Sequence, residues 1–167
     1  MSSIPLYKVV IAGDENVGKT SLVRQYCEGR FETSRVSTIG VDFQTKIVTL
    51  PEGEVKLSIW DMAGQERFNI VRSGFYRGTR ATALVYDLGV PDTLEHLQKW
   101  YEETRSNCTC QKFLVIGNKA DLVNDRNTRN AEKFAQLIRA EHLVTSAATA
   151  EGVSDLFIKL AGLSNSL

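Results

Sequence analysis

The residues best equipped for chemistry stand near the amino terminus, in Gly13-Asp14-Glu15-Asn16-Val17-Gly18-Lys19-Thr20. Glycines at the two ends of this pattern let the backbone curl until successive N–H groups converge on one anion, and the lysine reaches the outer phosphates. The Thr20 hydroxyl is a hard oxygen ligand suited to Mg²⁺. Glu15, Asn16, Val17, Gly18, Lys19, Thr20 and Ser21 are therefore read as a phosphate-binding loop, with Lys19 offsetting charge on the phosphates during reaction. Two further stretches carry matching chemistry. Asp61-Met62-Ala63-Gly64-Gln65 offers a carboxylate for Mg²⁺, a glycine whose N–H can approach a terminal phosphate, and an amide that can orient an attacking water. On a blander reading Asp61 is a helix cap or turn residue. Gly117-Asn118-Lys119-Ala120-Asp121-Leu122 places a carboxylate where it can accept from N1–H and the exocyclic amine of guanine, a donor pair that adenine lacks. Asn118 can join base and phosphate loop, and the aliphatic stem of Lys119 can cover one ring face. Thr145-Ser146-Ala147-Ala148 can then present a backbone N–H to the guanine carbonyl.

Such groups converge only if the chain carries them to one edge of a sheet. Short strand-like runs alternate with helical patterns throughout, which predicts an α/β fold with a mostly parallel sheet between two layers of helices. The runs are Tyr7–Ala12, Phe43–Leu50, Glu54–Trp60, Thr82–Tyr86, Lys112–Ile116 and His142–Thr145. The second and third are separated by only Pro51-Glu52-Gly53, short enough for an antiparallel hairpin. Helical spacing marks Lys19–Glu28, Thr93–Asn107 with Asp92 or Thr93 as its cap, a segment around Ala131–Ile138, and a last helix through Val153, Leu156, Phe157, Leu160 and Ala161. In an open α/β sheet ligands bind beyond the carboxyl ends of the strands, where all the motifs above fall.

The connection Phe31–Phe43 is polar and long for a compact domain, which points to a functional loop. It is read as nucleotide-sensing: Thr38 adds a hydroxyl and its N–H to Mg²⁺ and the terminal phosphate, and Phe31 stacks edgewise on the base. The alternative is a core Phe31 and a turn residue at Thr38. A chain of 167 residues fits one domain. Twenty basic and twenty acidic residues cancel, without a long charged block, which argues against a nucleic-acid or broad anionic-membrane partner. Cys27, Cys108 and Cys110 lack the paired spacing of a zinc site and read as free thiols in a reducing, cytoplasmic compartment.

Taken together, GDENVGKT, STIGVDF, WDMAGQERF, GNKAD and TSAA resemble the five nucleotide motifs of the Ras superfamily, in order and at matching separations. IGVDF, KLSIW, GQERF and FYRG further resemble segments that distinguish its Rab branch, the regulators of vesicle traffic. The resemblance implies a P-loop NTPase fold: a three-layer sandwich with a six-stranded, mostly parallel sheet, one antiparallel edge strand and about five helices. It implies a monomeric GTPase that binds GTP and GDP with Mg²⁺ on Thr20, Thr38 and Asp61, with Gln65 orienting the water. It also implies two switch segments, Thr33–Asp42 and Gly64–Gly78, in which Thr38 and Gly64 release when the γ-phosphate is lost. Ile39, Val41, Phe43, Trp60, Phe68 and Tyr76 fall where the family's effectors bind, along with an exchange factor and a GTPase-activating protein. Half-buried sheet packing is the alternative for Phe43 and Trp60.

Departures from the pattern carry their own expectations. Glu15 replaces a small residue, and its anionic side chain would crowd Gln65 and sit near the γ-phosphate, predicting slow hydrolysis. If it points to solvent instead, only its backbone matters. The rival function is a hydrolysis-impaired nucleotide-binding scaffold. Met62, Ala148 and Arg35 replace the usual threonine, lysine and aromatic residue. Rab relatives attach to membranes through a tail with terminal prenylated cysteines, whereas here the last cysteine is Cys110 and the final residues are Asn165-Ser166-Leu167. The expectation is a truncated chain, an unprenylated one, or one joined to a further domain.

Overall fold

Val9, Val10, Ile11 and Ala12 are all fully buried, so the first strand has no solvent face. A strand buried on both sides belongs at the centre of a parallel sheet covered by helices. The computed structural model describes residues 3–33, 38, 40–65, 68–108 and 111–166, without the side chains of Asn69 and Val71. Of the residues singled out above, Arg35, Ile39 and Cys110 lie outside the described residues. The strands are β1 (Leu6–Ala12), β2 (Val41–Leu50), β3 (Gly53–Met62), β4 (Thr79–Asp87), β5 (Lys112–Asn118) and β6 (Glu141–Val144). They form one six-stranded sheet in the order β2-β3-β1-β4-β5-β6. Only β2 runs antiparallel to its neighbour; β3, β1, β4, β5 and β6 are mutually parallel.

The helices are α1 (Lys19–Glu28), α2 (Asn69–Ser73), α3 (Pro91–Glu95), α4 (Leu97–Asn107), α5 (Arg129–Leu137) and α6 (Val153–Asn165). Side chains alternate along β1 between two cores. Val9 and Ile11 join Leu22 of α1 and Phe157 and Leu160 of α6, while Val10 and Ala12 join Leu97 and Trp100 of α4 and Ala131 and Ala135 of α5. That alternation is the two-residue period of a strand put to use on both faces. Edge strand β2 has mostly exposed or half-exposed residues, as an unpaired edge requires.

Several boundaries differ from the sequence reading: β4 and β5 run on to Asp87 and Asn118, past their apolar runs, and β4 begins at Thr79. The hairpin ladder continues past the apolar runs through Asp42↔Asp61 and Val41↔Met62, because backbone pairing does not need apolar side chains. The helix expected from Thr93 starts at Pro91, whose fixed φ suits the first helical position, and continues through His96 into α4. Neither Asp92 nor Thr93 caps it. The Thr93 hydroxyl accepts from the Asp87 amide at 2.9 Å and donates to the Val90 carbonyl, tying the helix to β4. Among the described residues no helix is long and apolar enough to cross a membrane.

Candidate functional site

With β1, β3 and β5 parallel, the segments after Ala12, Met62 and Asn118 emerge at the same edge. The phosphate loop enters α1 through Gly18, left-handed at φ 97°, and a Cβ there would lie 2.3 Å from Asn118 Nδ2. Only glycine allows that approach. Asn118 is fully buried; its Nδ2 donates to the Val17 carbonyl at 3.0 Å, and its Oδ1 accepts from the Thr145 hydroxyl at 2.9 Å. The guanine-type motif, the phosphate loop and the loop after β6 are thus one hydrogen-bonded unit. Lys119 Nζ donates to the Asn16 carbonyl at 2.6 Å and lies 3.3 Å from Asp87 Oδ2, and the buried Ser146 hydroxyl donates to Asp121 Oδ1 at 2.7 Å. These bonds fix the directions of the Lys119 stem and the Asp121 carboxylate.

At the other end, Lys19 is buried and its Nζ donates to the carbonyls of Gly13, at 2.7 Å, and Asp14. Burial pushes its ammonium down to about 8, with Asp61 and Asp14 pulling the other way. The Asp61 carboxyl is raised, first by burial, against the pull of Lys19 and the Thr20 hydroxyl. Its Oδ2 accepts from the hydroxyl of Thr20 and, at 3.5 Å, from that of Thr38, and those two hydroxyls are 2.8 Å apart. Asp61 Oδ1 is buried with no hydrogen-bond partner among the described residues. Two hydroxyls and a carboxylate with an orphaned oxygen are a hard-oxygen donor set, and a small dication there would satisfy the atom that no described residue satisfies. The residues fit Mg²⁺.

Between the two ends lies a cavity of about 500 Å³, within the range of small-ligand sites. Glu15, Asn16, Gly18, Lys19, Thr20 and Ser21 line its phosphate end. Asn118, Lys119, Asp121, Leu122, Ala147 and Ala148 line the base end, and Phe31, Thr38, Gly64 and Gln65 complete the wall. Val17 and Ser146 serve from behind through the bonds given above. Phe31 is not a core aromatic: it is 38% exposed, at the mouth. Gly64 packs so closely that a Cβ would lie 2.4 Å from the Glu15 nitrogen. Glu15 is exposed, and it and Gln65 also line a neighbouring cleft with His96 and Trp100.

The surface expectation needs one correction. Tyr76 is fully buried, not available to a partner, because its hydroxyl donates to Glu103, which also pairs with buried Arg72. Phe75 takes the place expected of Tyr76: its ring is 5.7 Å from that of Trp60, which stacks at 5.5 Å on Phe43. Phe43 is 60% exposed; Val41, Trp60 and Phe68 are half-buried. Phe75-Tyr76 is a pair of adjacent aromatics, and only the path of the chain decides which one faces in. Arg72, Glu103, His96 and Trp100 also join this region without any sequence signal. Trp100 Nε1 donates to Asp14 Oδ1 at 2.8 Å and His96 Nδ1 pairs with Asp14 Oδ2, a contact that raises the His96 pKa. Nothing local in the sequence marks them, since each meets its partner across the fold.

A family model described as Ras family matches residues 8–165. The chain is 40% identical over 155 residues to the Ras-related protein Rab11A of Lotus japonicus, covering 91% of this chain and 69% of that one. It is 37% identical over 158 residues to the Ras-related protein Rab-1D of Dictyostelium discoideum, covering 93% and 78%. With the human Ras-related protein Rab-21 the identity is 37% over 161 residues, covering 92% and 70%. A match across nearly the whole chain, joined to a phosphate loop and base-end motif in one cavity, places this protein in the Ras family of small GTPases, on its Rab branch.

Proposed function

We propose that the protein is a guanine-nucleotide switch that binds GTP and GDP, hydrolyses GTP slowly, and controls effector binding in vesicle traffic. The observation that carries this is the tie between Asn118 and Val17, which joins the base-end motif to the phosphate loop around a nucleotide-sized cavity. Asp121, oriented by Ser146, accepts from N1–H and the amine of guanine, and the loop around Ala147 and Ala148 donates to its carbonyl. Lys119 lies along the ring and Phe31 closes the mouth. The phosphate loop from Glu15 to Ser21 donates its amides to the phosphates, and Lys19 exchanges its two carbonyl partners for phosphate oxygens. Thr20, Thr38 and Asp61 would hold Mg²⁺, which would supply positive charge against the phosphates. Gln65 orients the attacking water, and Thr38 and Gly64 sense the γ-phosphate.

Val41, Phe43, Trp60 and Phe68, with Phe75 in place of Tyr76, form the surface that an effector reads. We read the chain as one monomeric G domain, cytoplasmic, and peripheral on intracellular membranes if the full-length protein carries a lipidated tail. The exposed Glu15 carboxylate on the same wall as Gln65 favours a second reading, a nucleotide-holding scaffold without turnover. Two measurements test these. Labelled GDP should be displaced by unlabelled GDP and not by ADP; equal displacement would end the guanine reading. Single-turnover hydrolysis of labelled GTP should be slow but faster than in Gln65→Leu, and equal rates would leave the scaffold.

A further inference from the structure

We propose that Arg72 is a positioning residue for hydrolysis: it clamps the Gln65 peptide against α4, so that the water-orienting side chain extends from a fixed backbone. The proposal rests on the GTPase reading above. Arg72 lies in α2, within a polar stretch, yet its side chain is only 1% exposed. A guanidinium is buried this far only where its donors are answered. Nη1 donates to the Ala63 carbonyl at 3.0 Å and to the Gln65 carbonyl. Nε and Nη2 form a fork onto the two Glu103 oxygens at 3.0 and 2.8 Å. The Tyr76 hydroxyl donates to the same carboxylate.

The clamp is anchored at the phosphate loop as well. The guanidinium carbon lies 4.4 Å from the centre of the Trp100 ring, whose Nε1 donates to Asp14 at 2.8 Å. Trp100 and Glu103 are neighbours on one face of α4, so a single rigid helix holds Asp14 with one side chain and the Gln65 segment with the other. The remaining bonds point the same way. The Gln65 carbonyl also accepts from the Phe68 amide at 3.1 Å, and the Ala63 amide donates to the Gly40 carbonyl at 2.9 Å. Both carbonyls that flank Gly64 are therefore fixed, while Gly64 itself presses on the Asp14–Glu15 backbone. A lysine could not span two carbonyls and fork a carboxylate at once, because its donors radiate from a single nitrogen.

The test removes both charges together, Arg72→Met with Glu103→Leu, so that neither is left buried alone. Labelled GDP should bind within about threefold of the parent, while single-turnover GTP hydrolysis slows by about tenfold or more. Adding Gln65→Leu should then change the rate by less than about twofold, since groups that act as one unit do not add. Arg72→Lys, which keeps the charge, should show the same loss and decides the matter if the paired variant does not fold. A parental hydrolysis rate in a GDP-binding variant, or a loss that multiplies with Gln65→Leu, overturns the clamp alone. A parent that binds no GDP overturns the nucleotide reading and the clamp with it.

Discussion

The two ends of the cavity are built on different terms. At the base end every buried polar group named here has a partner in the chain: Asn118 is held by Val17 and Thr145, and Ser146 donates to Asp121. At the phosphate end Asp61 Oδ1 has none among the described residues, Lys19 is held down in pKa by burial, and its ammonium rests on two backbone carbonyls. A pre-bonded pocket selects its ligand by shape and donor pattern, since little reorganisation is needed on binding. A pocket with unsatisfied groups is completed by what it binds, so its stability and geometry respond to phosphate and metal. On the proposed function, selectivity belongs to the base end and switching to the phosphate end, which is the division of labour a nucleotide switch needs.

The contrast can be broken in four places. Asp121→Ala should cost the most, because two hydrogen bonds to a charged acceptor are worth about 3 kcal/mol or more together, a loss above a hundredfold in GDP affinity by equilibrium competition. Without nucleotide the same change should cost about 1 kcal/mol of stability, since it takes the acceptor from the buried Ser146 hydroxyl. Removing magnesium with a chelator comes next. Satisfying one buried orphan acceptor is worth about 1–3 kcal/mol, so release of labelled GDP should quicken by about ten- to a hundredfold, and Asp61→Asn should remove most of that response. Unchanged release would mean that the orphan oxygen of Asp61 is not what the metal answers.

Glu15→Ser should speed hydrolysis by up to about fivefold, the equivalent of about 1 kcal/mol for one exposed charge, with GDP affinity nearly unchanged. No gain in single-turnover rate would show that the Glu15 side chain leaves the reaction alone. The smallest effect concerns the backing of the base end, where Tyr86 and His142 share a hydrogen bond of 2.8 Å beneath β5. Burial lowers the His142 pKa, with Glu132 opposing. The unfolded chain therefore binds the proton more readily, and stability falls as pH drops below about 6.5. Denaturant titrations at pH 7 and pH 5.5 should show a smaller acid loss in His142→Phe than in the parent.

Legibility in the sequence followed the same division. The base-end and phosphate-loop motifs are contiguous stretches whose residue types are dictated by the ligand, so Lys19, Asn118, Asp121 and Ser146 could be read one after another. The buried strands were legible because β1 and β4 are apolar on both faces. The hairpin ends at Val41 and Met62 were not, because backbone pairing extends into polar residues. The short helix α2, the clamp through Arg72 and Glu103, and the choice between Phe75 and Tyr76 were not legible either. An arginine in a polar stretch looks solvated until the fold supplies a carboxylate thirty-one positions away.

By itself the sequence determined which motifs carry chemistry suited to a guanine nucleotide and in what order they follow strands, because those motifs are local to short segments. Tertiary structure alone decided which polar side chains are buried, which aromatic faces outward, and which oxygen of Asp61 is left without a partner among the described residues. Burial and pairing depend on neighbours distant in the chain, and no short stretch carries that information.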